Sequence, residues 1–432
     1  MGKNIRAREA LLLVTGMVCV LSSVSAWAGE QTLSLPKVIE YSLQHNGDLQ
    51  SFRAEQGLFE AGKVKAGLLP NPTIDLEAGT GALTGSSTES TLSVGISQEL
   101  LLGGKRSKRL AVAERELDLY RYQLADRERL IREEVKTMFY DVILAEQRLV
   151  LADRSIALNR QLFEVSKARL AAGDIPELEM NLVKVEMARS EGSRIDAAKA
   201  LNQNHKKLEA IIGLPVGTQY VISGTFQSTT PLTRTLEDLK QLALTQRPDI
   251  RALESERERG EAGVRLARAE TVPNPTVGLA LWRDTRAMKI GELEGTDKAY
   301  TIGIKLSMPI PVFDRNQAGV QEARARLNRT ESRLSAVRRG VELEVERAYA
   351  SCLSNEKILS LYNTNIIPQL EENLNLTEEA WRLGEVGILS VIQEQKKFFE
   401  VRENYLMALY NSQIALVKLD SAVASELNGE AE

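Results

Sequence analysis

The sequence holds only two cysteines and two histidines, which excludes most chemistry before any motif is sought. Cys19 lies in an N-terminal apolar run that reads as removable, so Cys352 is left alone and no intrachain disulfide is possible. Cys352 also falls on a heptad row, where a small packing residue is expected rather than a nucleophile. His45 and His205 each stand in a polar helical stretch without a second ligand at metal spacing. His205, beside Lys206 and Lys207, reads as an exposed helix residue. No phosphate loop, nucleophile elbow or zinc signature occurs; Gly103-Gly104 before Lys105 reads as the turn from a strand into a helix. An enzyme, a resident metal and a cofactor are therefore not expected. Long apolar runs are missing too. Past the N-terminal region nothing approaches 18 consecutive apolar residues, so any membrane crossing falls to a β-barrel. Nor is positive charge in excess: a formal net charge of −4 argues against nucleic acid, which demands clustered Lys and Arg.

What the N-terminus does contain is an export signal. Lys3, Arg6 and Arg8 precede the apolar run Leu11 to Leu21, and Ala26-Trp27-Ala28 supplies a small-residue cleavage site before Gly29. Residues 1–28 read as a secretory signal peptide. Gly16-Met17-Val18 before Cys19 does not form a lipoprotein box, so no lipid anchor is expected. Cleavage removes Lys3, Arg6, Arg8 and Glu9, which shifts the net charge from −4 to −6.

The remaining chain repeats itself. Pro70-Asn71-Pro72-Thr73 returns as Pro273-Asn274-Pro275-Thr276; Asp48-Leu49 returns as Asp249-Ile250, and Ala61-Gly62 as Ala262-Gly263. Val94-Gly95-Ile96 matches Ile302-Gly303-Ile304, and Gly173-Asp174-Ile175 matches Gly384-Glu385-Val386. The order holds while the spacing drifts by small insertions. Two repeats, 29–230 and 231–432, are expected, each running helix, helix, strand, strand, long helix, long helix.

The strands alternate with a period of two, which gives one apolar and one polar face. Leu92, Val94 and Ile96 share a face in the first hairpin, about 73–100. In the second, about 276–308, Leu279 and Leu281 share one face of their strand, as do Ile302 and Ile304 with Tyr300 and Leu306; Thr301, Gly303, Lys305 and Ser307 take the other. Gly79 to Ser90 and the charged stretch Arg283 to Lys298 read as the hairpin loops. Such hairpins alone also suit a soluble domain. The helices change that. Lys105 to Ala172 contains neither Gly nor Pro, so its roughly 68 residues would reach about 100 Å if helical throughout. Leu110, Leu117, Leu124, Ile131 and Met138 recur every seventh residue. Val135, Val142, Leu149, Ile156, Phe163 and Leu170 form a second such row, which calls for coiled-coil packing. Long helices are expected over about 105–212 and 316–428, the latter with Val345, Cys352, Leu359 and Ile366 on one row. Lengths like these describe a tube. Four strands cannot close a barrel, since about eight are the minimum; two chains would give eight and three would give twelve.

The whole mature chain resembles the TolC-type outer-membrane factors. The segments Gln98 to Arg106 and Pro309 to Gln317, with Pro70-Asn71-Pro72 and Glu77, are similar to the cobalt–zinc–cadmium resistance branch. The resemblance implies a mainly α fold with a small β part: a homotrimer whose long helices form a periplasmic barrel beneath a 12-stranded outer-membrane β-barrel. It implies a passive exit duct for heavy-metal cations in a tripartite efflux pump, fed by a periplasmic adaptor and an inner-membrane transporter of the resistance-nodulation-division type. A TolC-type channel for drugs or protein secretion is the nearest alternative, and a periplasmic coiled-coil scaffold is the rival from another class; Trp282 and Tyr300 near the strand ends, placed as interface aromatics, count against the scaffold. Leu92, Val94, Ile96, Leu279, Leu281, Ile302 and Ile304 would then face outer-membrane lipid. Arg169, Leu170 and Gly173, with Gly384, Val386, Gly387 and Ile388, are similar to the family's helix–turn–helix tips, which meet the adaptor. Three-fold symmetry turns any inward side chain there into a ring. Glu177, Glu179, Glu385, Ser390, Gln393 and Glu394 are the candidates for such a gate, with Asp174 nearby.

Overall fold

The computed structural model describes residues 31–215, 220–226 and 232–427; the expected signal peptide, and the boundary between the expected repeats, lie outside them. The chain forms two compact units, each drawn from both halves of the sequence. One comprises the residues up to 45, 135–227 and 367–410; the other comprises 46–134, 228–366 and 411 onward.

The elements follow in chain order: β1 (Gln31–Leu33), α1 (Leu35–His45), α2 (Gly47–Ala54), α3 (Gln56–Gly67), β2 (Thr73–Thr80), β3 (Ser90–Glu99), α4 (Lys105–Ala172) and α5 (Glu177–Ile212). After β4 (Tyr220–Ile222) come α6 (Leu236–Gln246), α7 (Pro248–Ala269), β5 (Thr276–Ile290), β6 (Leu293–Ser307), α8 (Gln317–Leu361), α9 (Ile367–Arg382) and α10 (Ile388–Val423). The 68 residues of α4 form one helix, as a segment without a breaker should. The second half differs. A five-residue π-helical turn, Tyr362–Ile366, separates α8 from α9. Pro368 is its physical reason: a proline has no N–H for the carbonyl four residues back and its ring crowds that carbonyl.

The sheet-bearing unit packs α6, α7, α8 and the end of α10 around Leu239, Ile250, Leu334, Val345 and Leu419. Thr235 opens α6 with a capping box to Asp238, which satisfies free N–H groups of the first turn. Arg247, buried between α6 and α7, holds Asp249 through both carboxylate oxygens at 3.0 and 2.8 Å. It also donates to Glu344 at 2.8 Å and to the Ala422 carbonyl at 3.1 Å. Arg129 donates to the neighbouring Ser421 carbonyl at 3.0 Å. Two guanidinium groups thus close the C-terminal end of α10, where carbonyls lack helical partners and the dipole is negative.

Burial alone would raise the Asp249 carboxyl, but the Arg247 hydrogen bonds and charge hold it below its ordinary 3.8. A depressed carboxylate contributes stability above that ordinary value and loses it as pH falls through the lower folded one. Arg247→Ala removes the donor shared by the half-buried Asp249, the exposed Glu344 and the Ala422 carbonyl. It should destabilise the protein by about 1–3 kcal/mol, the usual cost of leaving a buried acceptor without its donor. Denaturant unfolding in detergent measures this, and an unchanged midpoint would mean that the contacts are ornamental.

In the other unit β1 runs parallel to β4, with Thr32 opposite Val221. His205 of α5 does not stand free as an exposed helix residue. Tyr220 folds back over it, its hydroxyl 3.2 Å from His205 Nδ1, and burial lowers the imidazole below its ordinary pKa. The residues around His205 in the sequence give no local signal for this contact. A second core, built on Leu162, Val183, Trp381, Ile388, Val391 and Ile392, fastens α4, α5, α9 and α10 together.

Candidate functional site

The four long strands form one antiparallel sheet in the order β2-β3-β5-β6. Register fixes which side chains share a face. Ile74, Ile96, Leu279 and Ile304 lie in one cross-strand row, and Leu76, Val94, Leu281 and Ile302 in another. All eight are exposed, Ile302 at 72% and Ile304 at 79%. The opposite face carries the rows Asp75-Gly95-Ala280-Gly303 and Glu77-Ser93-Trp282-Thr301. There Ser93 and Ser97 are only 8% exposed. Thr73 Oγ1 lies 2.7 Å from Ser97 Oγ, which in turn donates to Asp75 at 2.7 Å. Apolar side chains outside and hydroxyls enclosed is the reverse of a water-soluble sheet, and is how a strand in lipid distributes its residues.

Three sequence expectations change here. Arg283 to Lys298 is not a loop. β5 and β6 stay paired through it, Arg286 opposite Asp297, as far as Ile290 and Leu293. The turn needs only Gly291 and Glu292, with Gly291 at φ 65°, because glycine takes a left-handed conformation without strain. The first hairpin also turns more tightly than Gly79 to Ser90, since β2 continues to Thr80 and β3 starts at Ser90. Trp282, in turn, stands inside β5 rather than near a strand end. It lies on the polar side over Gly303, where a Cβ would come within 2.7 Å of its ring.

The repeated proline motif has a structural task. Asn274 Oδ1 accepts from the Leu102 N–H at 3.2 Å and from Lys105 Nζ at 2.6 Å, while its Nδ2 donates to Glu99 at 2.6 Å. The second-half motif therefore clamps the first-half passage from β3 into α4. Asn316, the left-handed residue before α8, donates to the Ala267 carbonyl at 2.8 Å and fixes the corresponding passage below β6.

The helical tips are built alike. Gly173 and Gly384 both take φ 81°. Gly173 N–H bonds the Leu170 carbonyl and Asp174 N–H the Arg169 carbonyl; Gly384 and Glu385 repeat this with Trp381 and Ala380. This paired closure ends a helix at a glycine. Arg169 joins the two tips: its guanidinium lies 5.3 Å from the Trp381 ring centroid and donates to the Trp381 carbonyl at 3.0 Å. Leu170 and Val386 are half-buried, Ile388 is 1% exposed within the tip core, and Gly387 is exposed. Of the gate candidates, Glu177, Glu385, Ser390 and Gln393 are exposed and Glu179 is half-exposed. Glu394 is turned inward, with one carboxylate oxygen enclosed and without a hydrogen-bond partner, 3.6 Å from Lys397 Nζ. The Arg169–Trp381 contact was not legible beforehand, although an Arg four residues before a helix-ending Gly is a signal that could have prompted it. Among the described residues, no three His, Cys, Asp or Glu side chains are grouped to hold a metal ion, and no helix is long and apolar enough to cross a membrane.

A profile of the family described as outer membrane efflux protein matches residues 38–214 and 239–425. The cobalt-zinc-cadmium resistance protein CzcC of Cupriavidus metallidurans is 27% identical over 397 residues, 90% of this chain and 89% of that one. The nickel-cobalt-cadmium resistance protein NccC of Alcaligenes xylosoxydans is 26% identical over 305 residues, 68% of this chain and 63% of that one. Among solved structures, CusC, described in terms of folding and transmembrane channel formation, superposes with a TM-score of 0.76 at 18% identity, covering 93% of this chain and 96% of its own.

Proposed function

From the chain's membership of the outer membrane efflux protein family, whose members are outer-membrane channels, we propose that it is one protomer of a homotrimeric exit duct for heavy-metal cations. The observation that carries the proposal is the inverted sheet, with its exposed apolar rows and its enclosed hydroxyls. Leu92, Val94, Ile96, Leu279, Leu281, Ile302 and Ile304 face lipid. Each repeat, 29–230 and 231–432, supplies one hairpin and one tip. The sheet has β2 and β6 at its edges, and an unpaired edge cannot stand in a bilayer. Pairing β6 of one copy with β2 of the next, three times, closes twelve strands. Asp75 and Glu77 then line the lumen, Asp75 held by the Ser97 hydroxyl that Thr73 also meets, and offer hydrated cations weak oxygen groups that let them pass. Relatives named for cobalt, zinc, cadmium and nickel resistance support the choice of substrate.

The partners in this reading are a periplasmic adaptor at the tips and an inner-membrane transporter of the resistance-nodulation-division type behind it. Deleting the gene should sensitise cells to cobalt, zinc or cadmium while leaving drug tolerance unchanged. Sensitivity to drugs alone would replace the metal reading with a drug channel.

The gate belongs to the same tips. Glu177 and Glu385, exposed beside the two glycine turns, would form rings of like charge in a trimer. Replacing both by Gln should lower cation over anion permeability in single-channel recordings without reducing trimer yield. Glu394→Gln should leave selectivity unchanged, because that carboxylate is enclosed beside Lys397. The opposite outcome would move the ring to Glu394.

A further inference from the structure

The lipid-facing rows are too short for the membrane they cross. On β6 the exposed apolar stripe Tyr300, Ile302, Ile304 and Leu306 spans six residue steps, about 20 Å at 3.3 Å each. At the usual barrel tilt of 35–45° that is roughly 15 Å of height, against an apolar band of about 25 Å. The missing thickness does not lie above, where the next outward row is Thr80, Ser90, Thr285 and Lys298. It lies below. Past the end of β6 the exposed apolar side chains continue with Met308, Ile310 and Val312, Ile310 at 78%. Phe313 follows at 93%, and just after β3 Leu100 and Leu102 are also exposed.

Part of the backbone of this segment needs no partner from water. Pro309 and Pro311 have no N–H to leave unpaired. Val312 N–H bonds the Ile310 carbonyl at 2.9 Å, and Arg315 Nε donates to the Pro311 carbonyl at 3.3 Å. Lipid tolerates irregular backbone only when its polar groups are satisfied internally. Asp314 and Arg315 then end the apolar run. We propose that Met308 to Phe313 is a membrane-embedded collar below the barrel, seated among the acyl chains of the periplasmic leaflet, and that it completes the apolar height of the protein. The occupant is lipid rather than a second copy, because copies join at the sheet edges and leave outward-facing side chains outward. The proposal rests on the lipid-facing reading of the strands.

A polarity-sensitive nitrobenzoxadiazole label tests it, attached in a Cys352→Ser background through Phe313→Cys, Ile310→Cys or, as reference, Ile304→Cys. The purified trimer is reconstituted into phosphatidylethanolamine–phosphatidylglycerol vesicles whose acyl chains carry nitroxide quenchers. The collar predicts that labels at 313 and 310 lose fluorescence to the nitroxide as the label at 304 does, and resist iodide in the water. Quenching at 304 with iodide quenching at 313 and 310 would overturn the collar and leave the barrel. Quenching at 304 with neither quencher reaching 313 and 310 would also overturn it, since another copy would then cover them. No lipid quenching at 304 would overturn the strand assignment and the collar together.

Discussion

Ile304→Arg should all but eliminate folded protein from the outer membrane, while Thr301→Arg, three residues earlier on the same strand, should assemble in normal amount. Ile304 stands opposite Leu279 in an exposed apolar row, and Thr301 stands opposite Trp282 on the polar face. An arginine on the lipid face near mid-bilayer costs about 2–4 kcal/mol. A trimer carries three copies, so the sum is roughly 6–12 kcal/mol, comparable with the whole stability of a domain. Thr301→Arg adds positive charge to the face and row that carry Ser93 and Glu77 and should change conductance and selectivity instead. Heat-modifiable trimer in outer-membrane fractions measures the first effect, and bilayer recording the second. Equal tolerance of both substitutions would reverse the assignment of inside and outside.

Gly387→Arg should abolish efflux and leave export and trimer formation intact. The position permits this separation. A Cβ at Gly387 meets no other atom within 4 Å, and its carbonyl still accepts from Ser390 N–H at 3.1 Å. The tip therefore folds as before. Docking is another matter, because a guanidinium forced unpaired into a closed interface costs about 2–5 kcal/mol. That weakens adaptor binding by at least about 30-fold at each tip. Metal tolerance should fall to that of the deletion strain, and copurification of the adaptor should be lost. Normal tolerance with normal copurification would remove this tip from the adaptor interface.

The long helices were legible because a breaker is a local property. The absence of Gly and Pro from Lys105 to Ala172 marks both ends of α4, and Gly173 and Gly384 mark the tips by their left-handed conformation. Strand faces were legible for a similar reason, since a period of two needs no partner to be recognised. What failed depended on partners. The charges of Arg283 to Lys298 read as a loop because charge says nothing against a ribbon with polar surroundings on both sides. Trp282 read as an interface aromatic by its type, whereas register places it over Gly303. Arg247 binds Glu344 and the Ala422 carbonyl, residues 97 and 175 positions away. Nothing near Arg247 in the sequence announces them. Ile388 looked available to an adaptor until α4, α5 and α9 enclosed it, and Met308 to Phe313 read only as a family motif until its exposure directly after β6 set it apart.

Conductance of the purified protein in planar bilayers tests the central claim most directly. The account predicts discrete, long-lived steps that favour cations over anions, appear only with trimeric fractions, and change in size with Thr301→Arg. A correctly folded trimer that inserts into bilayers and passes no ions, with or without that substitution, would contradict a lumen lined by Asp75, Glu77 and Thr301.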